Sequence, residues 1–171
     1  EESGVDCVLV GDSVAMVVAG RDSTIPATLR QMIYHGEIVA RAVARAMVIV
    51  DLPFPLQHLG VRPAIRAAAR ILKETGCQGV KLEGTAGQAD VIAGLVAAGI
   101  PVMGHVGLRP QAVHQLGGYR MQRDGERLLA DATAAASAGA FAVVLECIPR
   151  QVAAAITAAI PVPTIGIGSG P

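Results

Sequence analysis

"GVKLEG", residues 79–84, sets a lysine and a glutamate two positions apart inside a short apolar run. In a strand, side chains alternate with period two, so Lys81 and Glu83 project from one face. Burying two charges is costly unless they are paired or bind something. The reading of this stretch therefore turns on what the two residues face, and on whether other runs end in the same way.

They do. "VDCVLVGDS", "AMVIVDLPF", "PVMGHVGL", "AFAVVLEC" and "PTIGIGSG" are further near-continuous apolar runs, as parallel strands covered on both faces require. Helical patterns lie between them near 28–44, 62–75, 87–98, 124–138 and 150–159, with Gly76 and Gly139 where helix C-caps belong. Gly4 to Gly11, Gly76 to Glu83 and Gly139 to Glu146 are each seven residues apart. Three units thus bring corresponding positions to the carboxyl ends of their strands. The chain is an alternating α/β protein; an open doubly wound sheet and a (β/α)8 barrel both satisfy the pattern. Six strands and five helices are expected in one domain, residues 1–171, which as a barrel is incomplete at both ends.

Composition narrows the function. Fourteen basic and fourteen acidic residues cancel, and Trp is absent, with two Tyr and two Phe. Neither a charge field for nucleic acid or membrane surfaces nor a base-stacking platform is present. No apolar run approaches the roughly 18 residues of a spanning helix, and no signal peptide is seen. Cys7, Cys77 and Cys147 are far apart, without a CxxC pair; buried, reduced thiols are expected.

Polar residues gather where strands finish: Asp12 and Ser13, Asp51, Lys81 and Glu83, His105, and Glu146. On a barrel that face carries the active site. Each residue also has a plainer reading. Asp12 could cap a helix, Asp51 could serve a turn, Lys81 and Glu83 could pair with each other, His105 could be a bonded core histidine, and Glu146 could partner Lys81. Two aspartates from neighbouring strands suit a hard divalent cation such as Mg2+. Zinc spacing, GxGxxG and Walker loops are absent, and "GIGSG" is a lone glycine turn.

Taken as an ordered set, "LVGDSVAMVVAGRDST", "VDLPF", "VKLEG", "PVMGHVGLRPQ", "GGY", "VLECIP" and "PTIGIGSG" resemble the ketopantoate hydroxymethyltransferase (3-methyl-2-oxobutanoate hydroxymethyltransferase) family. The resemblance implies a (β/α)8 TIM barrel of the phosphoenolpyruvate mutase/isocitrate lyase type, with about six of its strands in this chain. It implies a cytoplasmic homodecamer holding one Mg2+ per subunit, which engages neither nucleic acid nor membrane. The implied reaction passes a hydroxymethyl group from 5,10-methylenetetrahydrofolate to 3-methyl-2-oxobutanoate. The product is 2-dehydropantoate, on the route to pantothenate. Residue by residue, Asp12 and Asp51 would hold the metal, with Glu83 supporting its water shell. Asp12, Ser13, Asp51 and Lys81 would bind the oxo acid, His105 would lie near the incoming hydroxymethyl group, and Glu146 would take the proton from C3. The loop 20–24 would form a mobile cover, and residues 117–119 would line the pocket. Two alternatives stay open: another Mg2+-dependent C–C lyase or mutase of the same superfamily, which needs no folate, and an inactive barrel fragment. The Lys-Lys-Cys-Gly-His stretch of isocitrate lyases is absent.

Overall fold

A computed structural model describes residues 1–84 and 86–169. All six expected strands form: β1 (Cys7–Val10), β2 (Met47–Asp51), β3 (Gly79–Glu83), β4 (Val102–Gly107), β5 (Ala142–Glu146) and β6 (Thr164–Ile167). The last residue of "PTIGIGSG", Gly170, lies outside the described residues. Seven α-helices accompany the strands among the described residues: α1 (Val14–Val17), α2 (Leu29–Ala42), α3 (Val61–Thr75), α4 (Ala89–Ala97), α5 (Val113–Leu116), α6 (Gly125–Ser137) and α7 (Arg150–Ala159). Five match the expected helical patterns. The single-turn α1 and α5 are additions, too short to display a helical period.

Local chemistry explains the helix ends. Thr28 and Gln31 close a capping box at the start of α2, each side chain accepting from the other's backbone N–H. Asp124 caps α6 by accepting from Arg127 N at 3.1 Å. Gly76 terminates α3 at φ 78°, and Gly139 follows α6 at φ 97°, left-handed positions that favour glycine. Along α3, Ala64, Ala67, Ala68, Ile71 and Thr75 are buried, the stripe that lies against the sheet and α2.

Every strand pairs in parallel with the next, in the order β1-β2-β3-β4-β5-β6. A doubly wound sheet reverses its order at a switch point; this sheet never does. It is singly wound, the connectivity of a barrel wall. Val48, Val50, Val80, Leu82, Val102, Val143 and Leu145 pack outward into the core beneath the helices. Ile49, Met103, Ala142 and Val144 form a separate cluster on the other face. Register extends that inner face to the edge strands: Leu9 lies opposite Ile49, and Ile165 opposite Val144. Leu9, Ile165 and Ile167 are exposed there, and among the described residues β1 and β6 each pair on one side only. Open edges of this kind are an association hazard.

The three cysteines are free, as expected, but only Cys77 is fully buried; Cys7 and Cys147 are half-buried. Among the described residues no helix is long and apolar enough to cross a membrane.

Candidate active site

The inner face changes character at the carboxyl ends of the strands. Asp51 on β2 stands directly opposite Lys81 on β3, and Glu83 directly opposite His105 on β4. Glu146 ends β5 opposite Gly107. Asp51, Lys81, Glu83 and His105 are all at least nine-tenths buried, as is Asp12 just after β1.

A continuous polar chain crosses four strands. Lys81 Nζ lies 2.9 Å from Asp51 Oδ1 and 3.0 Å from His105 Nδ1. On the far side of the ring, His105 Nε2 is 2.9 Å from the Leu108 carbonyl and 3.2 Å from Glu146 Oε2. An ammonium can only donate, and a carbonyl can only accept. The contacts therefore fix the tautomer: Nδ1 accepts from Lys81, and Nε2–H donates towards Leu108 O and Glu146. Burial, and next the Lys81 charge, push the His105 pKa down against the pull of Glu146, so the ring is neutral. Asp51 Oδ2 accepts the Asp12 backbone N–H at 3.0 Å. The Lys81 contact at Oδ1 is an ion pair whose angle is poor for a hydrogen bond, leaving that buried oxygen without a well-directed donor.

These contacts answer the question raised by "GVKLEG". The partner of Lys81 is Asp51, not Glu83. Glu83 Oε2 accepts from the Gln111 backbone N–H at 3.0 Å. Glu146 pairs with His105, not with Lys81. Asp12 caps no helix: Ser13 occupies the N-cap of α1, without a side-chain cap bond, and Asp12 Oδ2 accepts from Gln111 Nε2 at 2.7 Å. Ser13 is exposed at the rim. Its Oγ and Asp51 Oδ2 both approach Gly11, where an added Cβ would meet them at 3.0 and 3.6 Å.

Charge at this end is unbalanced. Asp12, Asp51 and Glu83 are buried carboxylates, and Lys81 is the one ammonium in contact with the set among the described residues. Burial, followed by the charges of Asp12 and Asp51, pushes Glu83 up to about 8, although Lys81 opposes this. Burial, followed by the Asp51 charge, raises Asp12 to about 6 against the pull of Gln111, Lys81 and Thr24. For Lys81, burial disfavours the charge, but Asp51, Glu83 and Asp12 together outweigh it and its pKa rises. Excess buried negative charge of this kind calls for a cation.

Among the described residues, no group of three or more His, Cys, Asp or Glu is arranged to hold a metal ion. A divalent ion here would be held by one or two carboxylates, with water and substrate completing its shell. That is the habit of Mg2+ and not of zinc. The under-bonded Asp51 Oδ1 and the raised acids fit such an ion.

Several contributors escaped the sequence reading. Gln111 and Gln57 are buried beside the acids, and the Leu52 carbonyl accepts from Gln111 Nε2 at 3.0 Å. Gln111 ends the quoted stretch "PVMGHVGLRPQ", but a neutral glutamine carries no local signal of a place among buried acids. Of the two segments expected around the pocket, loop 20–24 ends at Thr24, which is buried and helps to stabilise the charge on Asp12. Tyr119 is half-exposed, with its hydroxyl 3.6 Å from Met16 Sδ. Burial, then the charges of Asp12, Glu83 and Glu146, raise its pKa, which marks it as a neighbour of the site.

Comparison with known proteins supplies the family. Phosphonopyruvate hydrolase superposes with a TM-score of 0.68 at 14% identity, over 97% of this chain and 60% of that one. A putative phosphonomutase from Burkholderia cenocepacia superposes with a TM-score of 0.65 at 20% identity, over 96% and 70%. At such identities the likeness shows the fold alone: six strands of a TIM barrel of the phosphoenolpyruvate mutase/isocitrate lyase type. The 3-methyl-2-oxobutanoate hydroxymethyltransferase of Rhodopirellula baltica is 61% identical over 99% of this chain. That of Carboxydothermus hydrogenoformans is 53% identical, also over 99%. The chain spans 63% of the length of each of these two relatives. A family model described as ketopantoate hydroxymethyltransferase matches residues 1–171, and the chain therefore belongs to the ketopantoate hydroxymethyltransferase family.

Proposed function

We propose that the protein carrying this chain transfers a hydroxymethyl group from 5,10-methylenetetrahydrofolate to 3-methyl-2-oxobutanoate, giving 2-dehydropantoate, with one Mg2+ per subunit. The observation that carries the reading is the chain Asp51–Lys81–His105–Glu146, set beside an excess of buried carboxylate. Family membership extends the proposal to a cytoplasmic homodecamer on the route to pantothenate.

The chemistry needs a base, an orienting group and a way to hold an oxo acid. Glu146 is the base that takes the proton from C3. Its carboxylate is partly open to solvent, with its side chain 22% exposed, while Oε2 is held by His105 Nε2–H. One oxygen is fixed and the other is left to work, the arrangement general-base catalysis asks for. His105 stays neutral because burial and the nearby Lys81 charge disfavour a second ring proton, while Nδ1 accepts a hydrogen bond from Lys81. It therefore directs Glu146 without neutralising it, and its ring edge lies near the arriving hydroxymethyl group. Lys81 has three N–H donors; one goes to His105 and the ammonium is ion-paired with Asp51, and a remaining N–H meets the carboxylate of the oxo acid. Ser13, exposed at the rim, adds a hydroxyl to the same carboxylate. Asp12 and Asp51 hold the ion, and Glu83 supports its water. When bound, Mg2+ supplies Lewis-acid stabilisation of the negative charge that develops on the keto oxygen.

Proton–deuterium exchange at C3 of 3-methyl-2-oxobutanoate, followed by NMR without folate, tests this directly. Mg2+-dependent exchange that Glu146→Gln abolishes is the expected result. A folded full-length protein that fails to exchange the C3 proton with Mg2+ present overturns the assignment.

A further inference from the structure

Gln111 sits in "GLRPQ", just after β4, and neither the metal nor the substrate reading uses it. Yet it joins more of the site than any acid does. Its backbone N–H donates to Glu83 Oε2 at 3.0 Å. Its side-chain Nε2 donates to Asp12 Oδ2 at 2.7 Å and to the Leu52 carbonyl at 3.0 Å. Its Oε1 accepts from Gln57 Nε2. Residues just after β1 and β2 are thus tied to its side-chain amide and the last residue of β3 to its backbone, and the residue is 5% exposed.

A primary amide has two N–H donors on one atom and an acceptor on the other. Both donors are committed, so the side chain has one useful orientation. Rotated by half a turn, it would set Oε1 against the Asp12 carboxylate and leave Leu52 O without a donor. Gln57 selects the correct orientation, because its N–H occupies Oε1. Gln57 is itself 1% exposed, and its own Oε1 is unpartnered among the described residues. A buried amide held against its own hydrogen-bonding interest is doing something for its neighbours.

We propose that Gln111 is a positioning residue that fixes Asp12 and Glu83 by one oxygen each, in the orientation that a divalent cation and its water shell require, and that Gln57 acts through Gln111. The inference rests on the metal reading above. It differs from simple core packing in one respect: it assigns to two neutral amides a share of the ion affinity.

The test is calorimetric titration of the full-length protein with Mg2+ alone, without substrate, in four forms: wild type, Gln111→Met, Gln57→Met and the double variant. Methionine keeps the side-chain volume and, at 111, the backbone N–H to Glu83. Loss of an outer-shell partner weakens metal binding by about 10–100-fold, so the Kd of Gln111→Met should rise about tenfold or more. Gln57→Met should weaken binding less. The double variant should be no weaker than Gln111→Met, because residues acting through one contact are not additive. An unchanged Kd in Gln111→Met overturns the inference, and so do additive effects. If Gln111→Met does not fold, Gln57→Met decides: weaker Mg2+ binding supports the inference and an unchanged Kd refutes it. Wild type that takes up no Mg2+ sinks this inference and the metal reading together, whereas wild-type binding with an indifferent Gln111→Met sinks this inference alone.

Discussion

The inner face of the sheet has two halves built on the same strands. Near the middle of β2, β4 and β5 stand Ile49, Met103 and Val144, packed together with Ala142. Two residues further along the same strands, on the same face, stand Asp51, His105 and Glu146. The apolar half needs no partner outside itself, since dense contact alone stabilises it. The polar half is buried too, but its acids exceed its cations, and Asp12 and Glu83 hold their protons far above the ordinary carboxylate range. One half supplies rigidity; the other keeps charges where folding alone would not leave them. Sites that break local rules in this way are where function is expected.

The sharpest way to break this comparison is to change one residue in each half. Glu146→Gln should lower C3 proton exchange by about 10²–10⁴-fold, the range for a positioned base, with the melting temperature nearly unchanged because the side chain is partly exposed. Ile49→Ala should do the reverse. It is 0% exposed, so a cavity should cost about 2–5 kcal/mol by denaturant titration, while oxo-acid affinity of the folded fraction holds.

Lys81→Met tests whether the two roles can be separated at all. It strands Asp51, and breaking a buried pair costs about 3–5 kcal/mol. Oxo-acid binding by calorimetry should fall further still, and added Mg2+ should recover part of the lost stability. Normal binding in the surviving folded protein would make Lys81 purely structural.

A smaller effect should appear with pH. An acid whose folded pKa is raised favours the folded state below its unfolded value, and that advantage disappears as pH climbs to the folded value. With unfolded carboxyls near 4, the window runs from about 4 up to the values near 6 for Asp12 and 8 for Glu83. Metal-free protein should therefore lose melting temperature between pH 5 and 8.5. Mg2+ should raise the melting temperature more at pH 8.5 than at pH 5; an equal rise at both would mean that these acids do not face the ion.

Much of this was legible in advance, for identifiable reasons. Apolar runs bounded by glycine gave all six strands, because covered parallel strands need apolar side chains on both faces. The polar strand ends stood out because nothing in a core calls for Asp51, Lys81 or Glu146 at those positions. Who pairs with whom was not legible. The plausible sequence partners of Lys81 were Glu83 and Glu146, yet register puts Asp51 directly across from it and leaves His105 to take Glu146. The role of Gln111 was invisible, since its partners Asp12, Gln57 and Glu83 lie 99, 54 and 28 residues away.

Sequence alone determined the alternating elements, their order and the chemical types gathered at the strand ends, because periodicity and residue chemistry are local properties. Periodicity left a singly and a doubly wound sheet both open; the motif resemblance pointed to the barrel, and the strand order bore it out. Only the tertiary structure decided which ion pairs form, which histidine nitrogen carries the proton and which acids are held up in pKa. Those depend on distances across strands and on how completely water is excluded, and both are set only when the chain has closed around them.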